Sequence, residues 1–246
     1  SSGRETIGRV AAGAIAVKIL NQMGIDFLTY TKSIGSIAVD MDKFDVEEIS
    51  NNSLYMPDAD AAARAAEYLS KCIENQNSAG GICECLVTGL PVGLGEPVFD
   101  KLDANLGKAI MSIGAVKGFE IGDGFAVAES TGLDNNDAFI IDKNPINSCK
   151  NISKKTNHSG GVLGGMSDGS PLVFRAAFKP TPSIASTQHT VNRSGEEIEI
   201  SIHGRHDPII VPRAVVVVES MAAITILDLL LSNMTARLDR IIDFYK

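Results

Sequence analysis

Gly204-Arg205-His206-Asp207-Pro208-Ile209-Ile210-Val211-Pro212-Arg213 lies between two runs of opposite character. Before it, charged and apolar residues alternate over residues 196–202, the period-two pattern of a half-exposed strand. After it, residues 214–231 form the most apolar run in the chain. That run is long enough to raise a membrane-spanning question, but Glu219 and Asp228 interrupt it, and a carboxylate near a bilayer centre is costly. A buried helix is the reading, so the stretch joins a strand to a core helix. Pro208 and Pro212 fix φ and restrict the residues before them, so Asp207 and Val211 are expected to be extended. Such a stiff loop suits chemistry. An arginine offers a planar fork to a carboxylate or phosphate, and a neighbouring carboxylate can then move a proton. A plain surface turn, with Arg205 and Asp207 paired to each other, fits the same residues.

The wider composition narrows the function class. With 246 residues the chain can bury a substantial core, and 44% hydrophobic against 21% charged residues argues for a globular protein. A formal net charge of −8 argues against nucleic acid or an anionic membrane as partner. Cys72, Cys83, Cys85 and Cys149 have no zinc spacing, and no secretory leader is recognisable, so a reduced cytoplasmic setting is expected. The chain opens without methionine, at the entry to a helix, and an upstream segment is expected to precede it.

Helical spacing over residues 5–23 puts Ile7, Val10, Ala14 and Val17 on one stripe, widened by Ala11 and Ile15. Its many small residues suggest close packing, and Ser1 and Ser2 stand where N-caps belong. Residues 26–39 read as strands, residues 40–60 as loop with a short helix, and residues 61–75 as an amphipathic helix favoured by Asp58 and Asp60. A turn over 77–81 leads to a buried strand at 82–90. A helix follows over 99–113, then a strand over 119–127. The long polar segment 129–156 reads as a mobile loop or a functional lid. In Asn157-His158-Ser159-Gly160-Gly161-Val162-Leu163-Gly164-Gly165-Met166, the glycines allow backbone N–H groups to approach a ligand closely. Residues 172–178 form a strand that delivers Lys179-Pro180-Thr181-Pro182-Ser183, either a phosphate cradle or a bland turn. Arg4, Lys179, Arg193, Arg205 and Arg213 thus concentrate positive charge in the loop motifs of an acidic chain. That pattern suits a small, multiply anionic ligand.

These blocks, in this order, resemble chorismate synthase nearly end to end. The resemblance is carried by Ser1-Ser2-Gly3-Arg4-Glu5-Thr6, Arg9-Val10-Ala11-Ala12-Gly13-Ala14 and Asp100-Lys101-Leu102-Asp103-Ala104. It continues in Met111-Ser112-Ile113-Gly114-Ala115-Val116-Lys117-Gly118, Glu120-Ile121-Gly122-Asp123-Gly124-Phe125, Asn157 to Gly165, Lys179-Pro180-Thr181 and Gly204 to Pro208. It implies an α+β fold with helices sandwiched between antiparallel sheets, assembled as a homotetramer. It also implies a lyase that converts 5-enolpyruvylshikimate 3-phosphate to chorismate and phosphate by 1,4-anti elimination. Reduced FMN is the implied cofactor, with NADPH or an outside reductase supplying its electrons. By the same resemblance Ser2, Arg4 and Arg205 bind substrate, and Asp207 is the acid/base group at flavin N5. Ser1, Ser2, Gly114, Ala115, Gly164, Lys179, Pro180, Thr181, Pro182, Ser183 and Arg205 are the implied flavin contacts. Gly114 stands where some relatives carry asparagine. The family's two catalytic histidines precede the Ser2/Arg4 motif, and His158, His189, His203 and His206 do not replace them. The expectation is therefore one domain over residues 1–246, N-terminally incomplete. The alternative is a flavin- and substrate-binding fragment without catalysis.

Overall fold

The computed structural model describes residues 3–141, 152–202, 204 and 207–246. A 3-10 turn (Gly3–Glu5) runs into α1 (Thr6–Asn21), followed by β1 (Asp26–Ile34), β2 (Ile37–Ala38) and α2 (Glu48–Asn51). Next come α3 (Ala59–Glu74), β3 (Gly81–Thr88), α4 (Leu102–Met111), β4 (Val116–Ile121) and a 3-10 turn (Gly124–Glu129). Four short strands follow: β5 (Phe139–Ile141), β6 (Ile152–Lys154), β7 (Val162–Leu163) and β8 (Met166–Ser167). The chain closes with β9 (Leu172–Phe178), β10 (Gln188–Val191), β11 (Glu197–Ile200), α5 (Val211–Asn233) and α6 (Leu238–Tyr245). The main sheet has strand order β2-β1-β3-β9-β4. The pairs β1–β2, β5–β6, β7–β8 and β10–β11 are antiparallel, and the class is α+β.

Two compact units can be distinguished, one of residues 1–29, 84–176 and 216–246, the other of residues 30–83 and 177–215. In the first, Leu20, Ile25, Leu90, Leu102, Leu106, Ile110, Phe174 and Ile226 are fully buried, and the Phe119 and Phe174 rings lie 5.7 Å apart. Here α1 meets α5 at Gly13, where an added methyl group would lie 2.5 Å from Ser220 Cα. The small residues do allow a close helix–helix approach, yet the expected stripe is not the buried one. Gly13, Ala16 and Leu20 face inward, while Ile7 and Ile15 are exposed. The helix is apolar on nearly every side, so periodicity could not choose its inner face. By length and composition α5 could cross a membrane, but half of its most apolar window is buried within the fold.

In the second unit α3 begins at Asp58, whose Oδ1 accepts from the Ala61 N–H (3.0 Å) and whose Oδ2 accepts from the Asp40 N–H (3.0 Å). Burial pushes the Asp58 carboxyl up, and the N–H donors of Ala61, Asp40 and Asp60 outweigh it, so the group titrates below its ordinary range. Its helix buries Ala61, Ala62, Ala65, Leu69 and Cys72 on one face, as the spacing predicts.

Several expectations need correcting. Val211 is not extended: it opens α5, with Pro212 in the first helical turn, where a missing N–H costs nothing. The strand expected at 119–127 starts earlier, at Val116, and stops at Ile121; Gly122, at φ +55°, turns the chain into the 3-10 segment. The helix expected from 99 begins at Leu102, after a bridge between Glu96 and Asp100. β11 is exposed at all four of its positions rather than half-exposed. Nothing in the sequence reading anticipated β10 or α6. Ser1 and Ser2, Cys149, His203, Arg205, His206 and the middle of the 129–156 segment lie outside the described residues.

Candidate active site

In the second unit, two of the anticipated loops are tied to one turn. Ser78 Oγ donates to the Thr181 carbonyl (2.7 Å), and the Ala79 N–H donates to the Pro208 carbonyl (2.8 Å). The turn follows α3 directly. The loop of Lys179, Pro180, Thr181, Pro182 and Ser183 and the loop of Asp207 are thereby anchored to neighbouring residues. Ser186 strengthens the tie through its hydroxyl, which donates to the Asn75 carbonyl at 2.8 Å. Lys179 is exposed at the end of β9, so its ammonium and the nearby Thr181 and Ser183 hydroxyls are of the right chemistry for a phosphate.

Asp207 is half-exposed and accepts from Arg213 Nη1 at 2.6 Å. The sequence put Arg205 beside it. Arg205 lies outside the described residues; among those described, the partner of Asp207 is the arginine in the first turn of α5, six positions on. A solvent-exposed pair of this kind adds little to stability, but it orients the carboxylate.

In the first unit, Arg4 sits in the opening 3-10 turn, one residue before Glu5. Gly114 and Ala115 form the centre of the turn between α4 and β4, closed by the Val116 N–H donating to the Ile113 carbonyl (3.3 Å). Ala115 has φ +73° and Gly114 is not in the positive-φ region, so the turn has the single left-handed third residue of a type II turn. Glycine normally fills that place. With a Cβ there, Ala115 costs about 1–2 kcal/mol. Gly164 occupies the two-residue β7–β8 turn with Gly165, at φ +62° and +86°. A methyl group at Gly164 would meet nothing within 4 Å, so its backbone faces open space; at Gly165 it would strike the Lys101 side chain.

The glycine-rich segment is held by a buried ionic brace. Lys154 Nζ bonds Asp168 Oδ2, lies 3.6 Å from Asp137 Oδ2 and donates to Ser159 Oγ at 3.0 Å. Asp137 accepts from the N–H groups of His158 (2.8 Å) and Ser159 (3.0 Å) and from Thr156 Oγ1 (2.8 Å). Burial would raise its pKa, and these donors overcome that and hold it well below the carboxylate range. His158 itself pairs through Nδ1 with Asp123 (2.6 Å), so it secures backbone on both sides. Arg175 on β9 bonds the Gly122 carbonyl and approaches Glu120 Oε2 at 3.3 Å, fixing the turn that carries Asp123. A structural role for His158 was expected from its place in the glycine-rich motif; its partners, which lie up to 53 positions apart, were not. No cluster of metal ligands occurs among the described residues.

The comparisons with known proteins agree in one direction. The family model for chorismate synthase matches residues 1–231. A protein of Agathobacter rectalis named chorismate synthase is 72% identical over all 246 residues, which make up 65% of its own length. One of Lachnoclostridium phytofermentans with the same name is 60% identical over the whole chain, which covers 66% of it. A crystal structure of chorismate synthase superimposes with a TM-score of 0.78 at 30% identity, over 95% of this chain and 65% of that one. The chain therefore spans about two thirds of the length of these relatives. With a family model over nearly its whole length, relatives far above chance identity and a shared α+β fold, this chain belongs to the chorismate synthase family.

Proposed function

We propose that residues 1–246 form one domain of an enzyme that removes phosphate and a ring hydrogen from 5-enolpyruvylshikimate 3-phosphate, giving chorismate by 1,4-anti elimination. The observation that carries the reading is the shared anchor at Ser78 and Ala79. It ties a lysine- and hydroxyl-bearing loop and a carboxylate-bearing loop to adjacent residues of one unit. Family membership supports the choice of reaction.

In this reading the cofactor is reduced FMN, which supplies electron density as phosphate leaves; NADPH is its proposed reductant. Lys179, with Pro180, Thr181, Pro182 and Ser183, holds the flavin phosphate. Gly114, Ala115 and Gly164 present backbone and one small methyl to the ring, leaving room for close stacking. Ser1, Ser2 and Arg205 complete the contacts. Ser2, Arg4 and Arg205 bind the carboxylates and phosphate of the substrate, a role suited to the guanidinium fork. Asp207, oriented by Arg213, accepts or returns a proton at flavin N5. The enzyme works as a cytoplasmic homotetramer, with no nucleic-acid or membrane partner, on the path to aromatic amino acids.

The test is anaerobic turnover with photoreduced FMN, followed by chorismate absorbance on protein of known intact mass. Asp207→Asn should keep FMN and substrate affinity while lowering kcat by about 10²–10⁴, the usual worth of a positioned acid/base group. Unchanged turnover removes Asp207 from the role. Flavin binding without turnover by the 246-residue chain alone supports the fragment reading instead.

A further inference from the structure

Ala115 holds a backbone conformation that an alanine rarely adopts, and such a conformation persists only where its surroundings dictate it. Two buried neighbours, Ile113 and Val116, pin the turn from inside. From outside, the contact comes from a residue 103 positions away. Arg9 of α1 donates through Nη1 to Ser112 Oγ (2.6 Å) and through Nη2 to the Ser112 carbonyl (3.3 Å). Ser112 Oγ in turn donates to the Ala109 carbonyl at 2.5 Å, closing the end of α4. The guanidinium is itself steered by Glu5 Oε2 (3.0 Å) and by Met221 Sδ of α5 (3.7 Å). Its fork thus grips both the hydroxyl and the carbonyl of the residue two before Gly114. A lysine, with one nitrogen, cannot reproduce that planar two-point contact.

We infer that Arg9 is a positioning residue for the flavin-side turn: it holds the Gly114–Ala115 turn, with Ala115 in its strained conformation, and links it to the opening turn that carries Arg4. The inference rests on the proposed role of Gly114 and Ala115 as flavin contacts. Arg9 touches no ligand in this account. It acts through Ser112, and through Glu5 it joins the turn to the residue next to Arg4.

The experiment uses Arg9→Lys and Arg9→Gln in the whole protein, with two readouts. One is amide hydrogen exchange without ligand; the other is the Kd for reduced FMN by anaerobic titration. Arg9→Gln should speed exchange at Ala115 and Val116 and weaken FMN binding, each by about tenfold or more, the scale on which misplaced contacts act. Arg9→Lys should fall between that variant and wild type. Exchange at Ala16 and Ala222, buried elsewhere in α1 and α5, should stay at the wild-type rate. Ser112→Ala, which removes only the hydroxyl, should shift exchange in the same direction by less, and it serves if the arginine variants fold poorly. Unchanged exchange at the turn, or acceleration spread evenly over α1 and α5, would overturn the inference. If wild-type protein itself binds no reduced FMN, the flavin reading fails, and the exchange rates still decide whether Arg9 holds the turn.

Discussion

Replacing Gly13 and Gly8 by alanine, one at a time, makes the same chemical change on the same helix with opposite expected signs. In a helix interior, alanine is favoured over glycine by about 0.8–1.0 kcal/mol, so both variants begin with that gain. At Gly8, which is exposed, a new methyl group meets nothing within 4 Å, and the gain stands. At Gly13 it would lie 2.5 Å from both Cα and Oγ of Ser220, whereas carbon atoms rest about 3.5–4.0 Å apart. The obstacle includes helix backbone, so α1 and α5 must part by about 1 Å or more. Overpacking of this kind costs about 1–3 kcal/mol, and the upper half of that range fits a clash with backbone. The propensity term cancels between the two variants, so their difference isolates the packing cost. For a chain of this size it should appear as midpoints about 4–12 °C apart, Gly8→Ala above wild type and Gly13→Ala below. Thermal unfolding followed by far-ultraviolet circular dichroism, at one protein concentration, reads the difference. If Gly13→Ala rises alongside Gly8→Ala, the close crossing at Ser220 is wrong.

Two further outcomes concern buried charge. Asp58→Asn keeps one acceptor but leaves the Asp40 or Ala61 N–H unpaired, costing about 1–3 kcal/mol at neutral pH. Because the folded carboxyl titrates below its unfolded value of about 3.9, its contribution is present above that pH and lost as pH falls through the lower folded value. The gap between wild type and Asp58→Asn in urea midpoint should therefore shrink on acidification below about pH 4, and a gap that widens there would contradict the assignment. Lys154→Met leaves Asp137 and Asp168 without their buried cation, and should cost about 3–5 kcal/mol in urea unfolding. A loss under about 1 kcal/mol would mean the brace is solvated.

The parts of the fold legible in sequence were those with local causes. Asp58 and Asp60 marked the start of α3 by favouring its N-terminal dipole, and residues 172–178 were read as a strand with the bounds that β9 has. The inner face of α1 was not legible, because Ile7, Ile15 and Leu20 are equally apolar and only the meeting with Ser220 decides among directions. Nor was the anchor at Ser78. Residues 77–81 read as an ordinary turn, and their significance lies in a hydroxyl that meets Thr181 across 103 positions of chain. Asp207 was singled out from its rigid setting, two residues after Arg205 and directly before Pro208. Its observed partner, Arg213, had been counted only as one more loop cation, since the helix start that brings it back was placed three residues late.

The apolar character of α5 bears on the order of events at the ribosome. Until it is docked, a helix of this length and composition is the kind of segment that chaperones and membrane-insertion machinery bind. Every strand of the main sheet, and the Gly13 face of α1, precedes it in the chain. The surface that receives α5 can thus be assembled before α5 leaves the exit tunnel, which shortens its exposure. A rearranged chain in which residues 211–233 precede the strands of the main sheet would reverse that order. Its native state would be unchanged on paper, but its nascent chain would display the stickiest segment first, and the yield of soluble protein should fall.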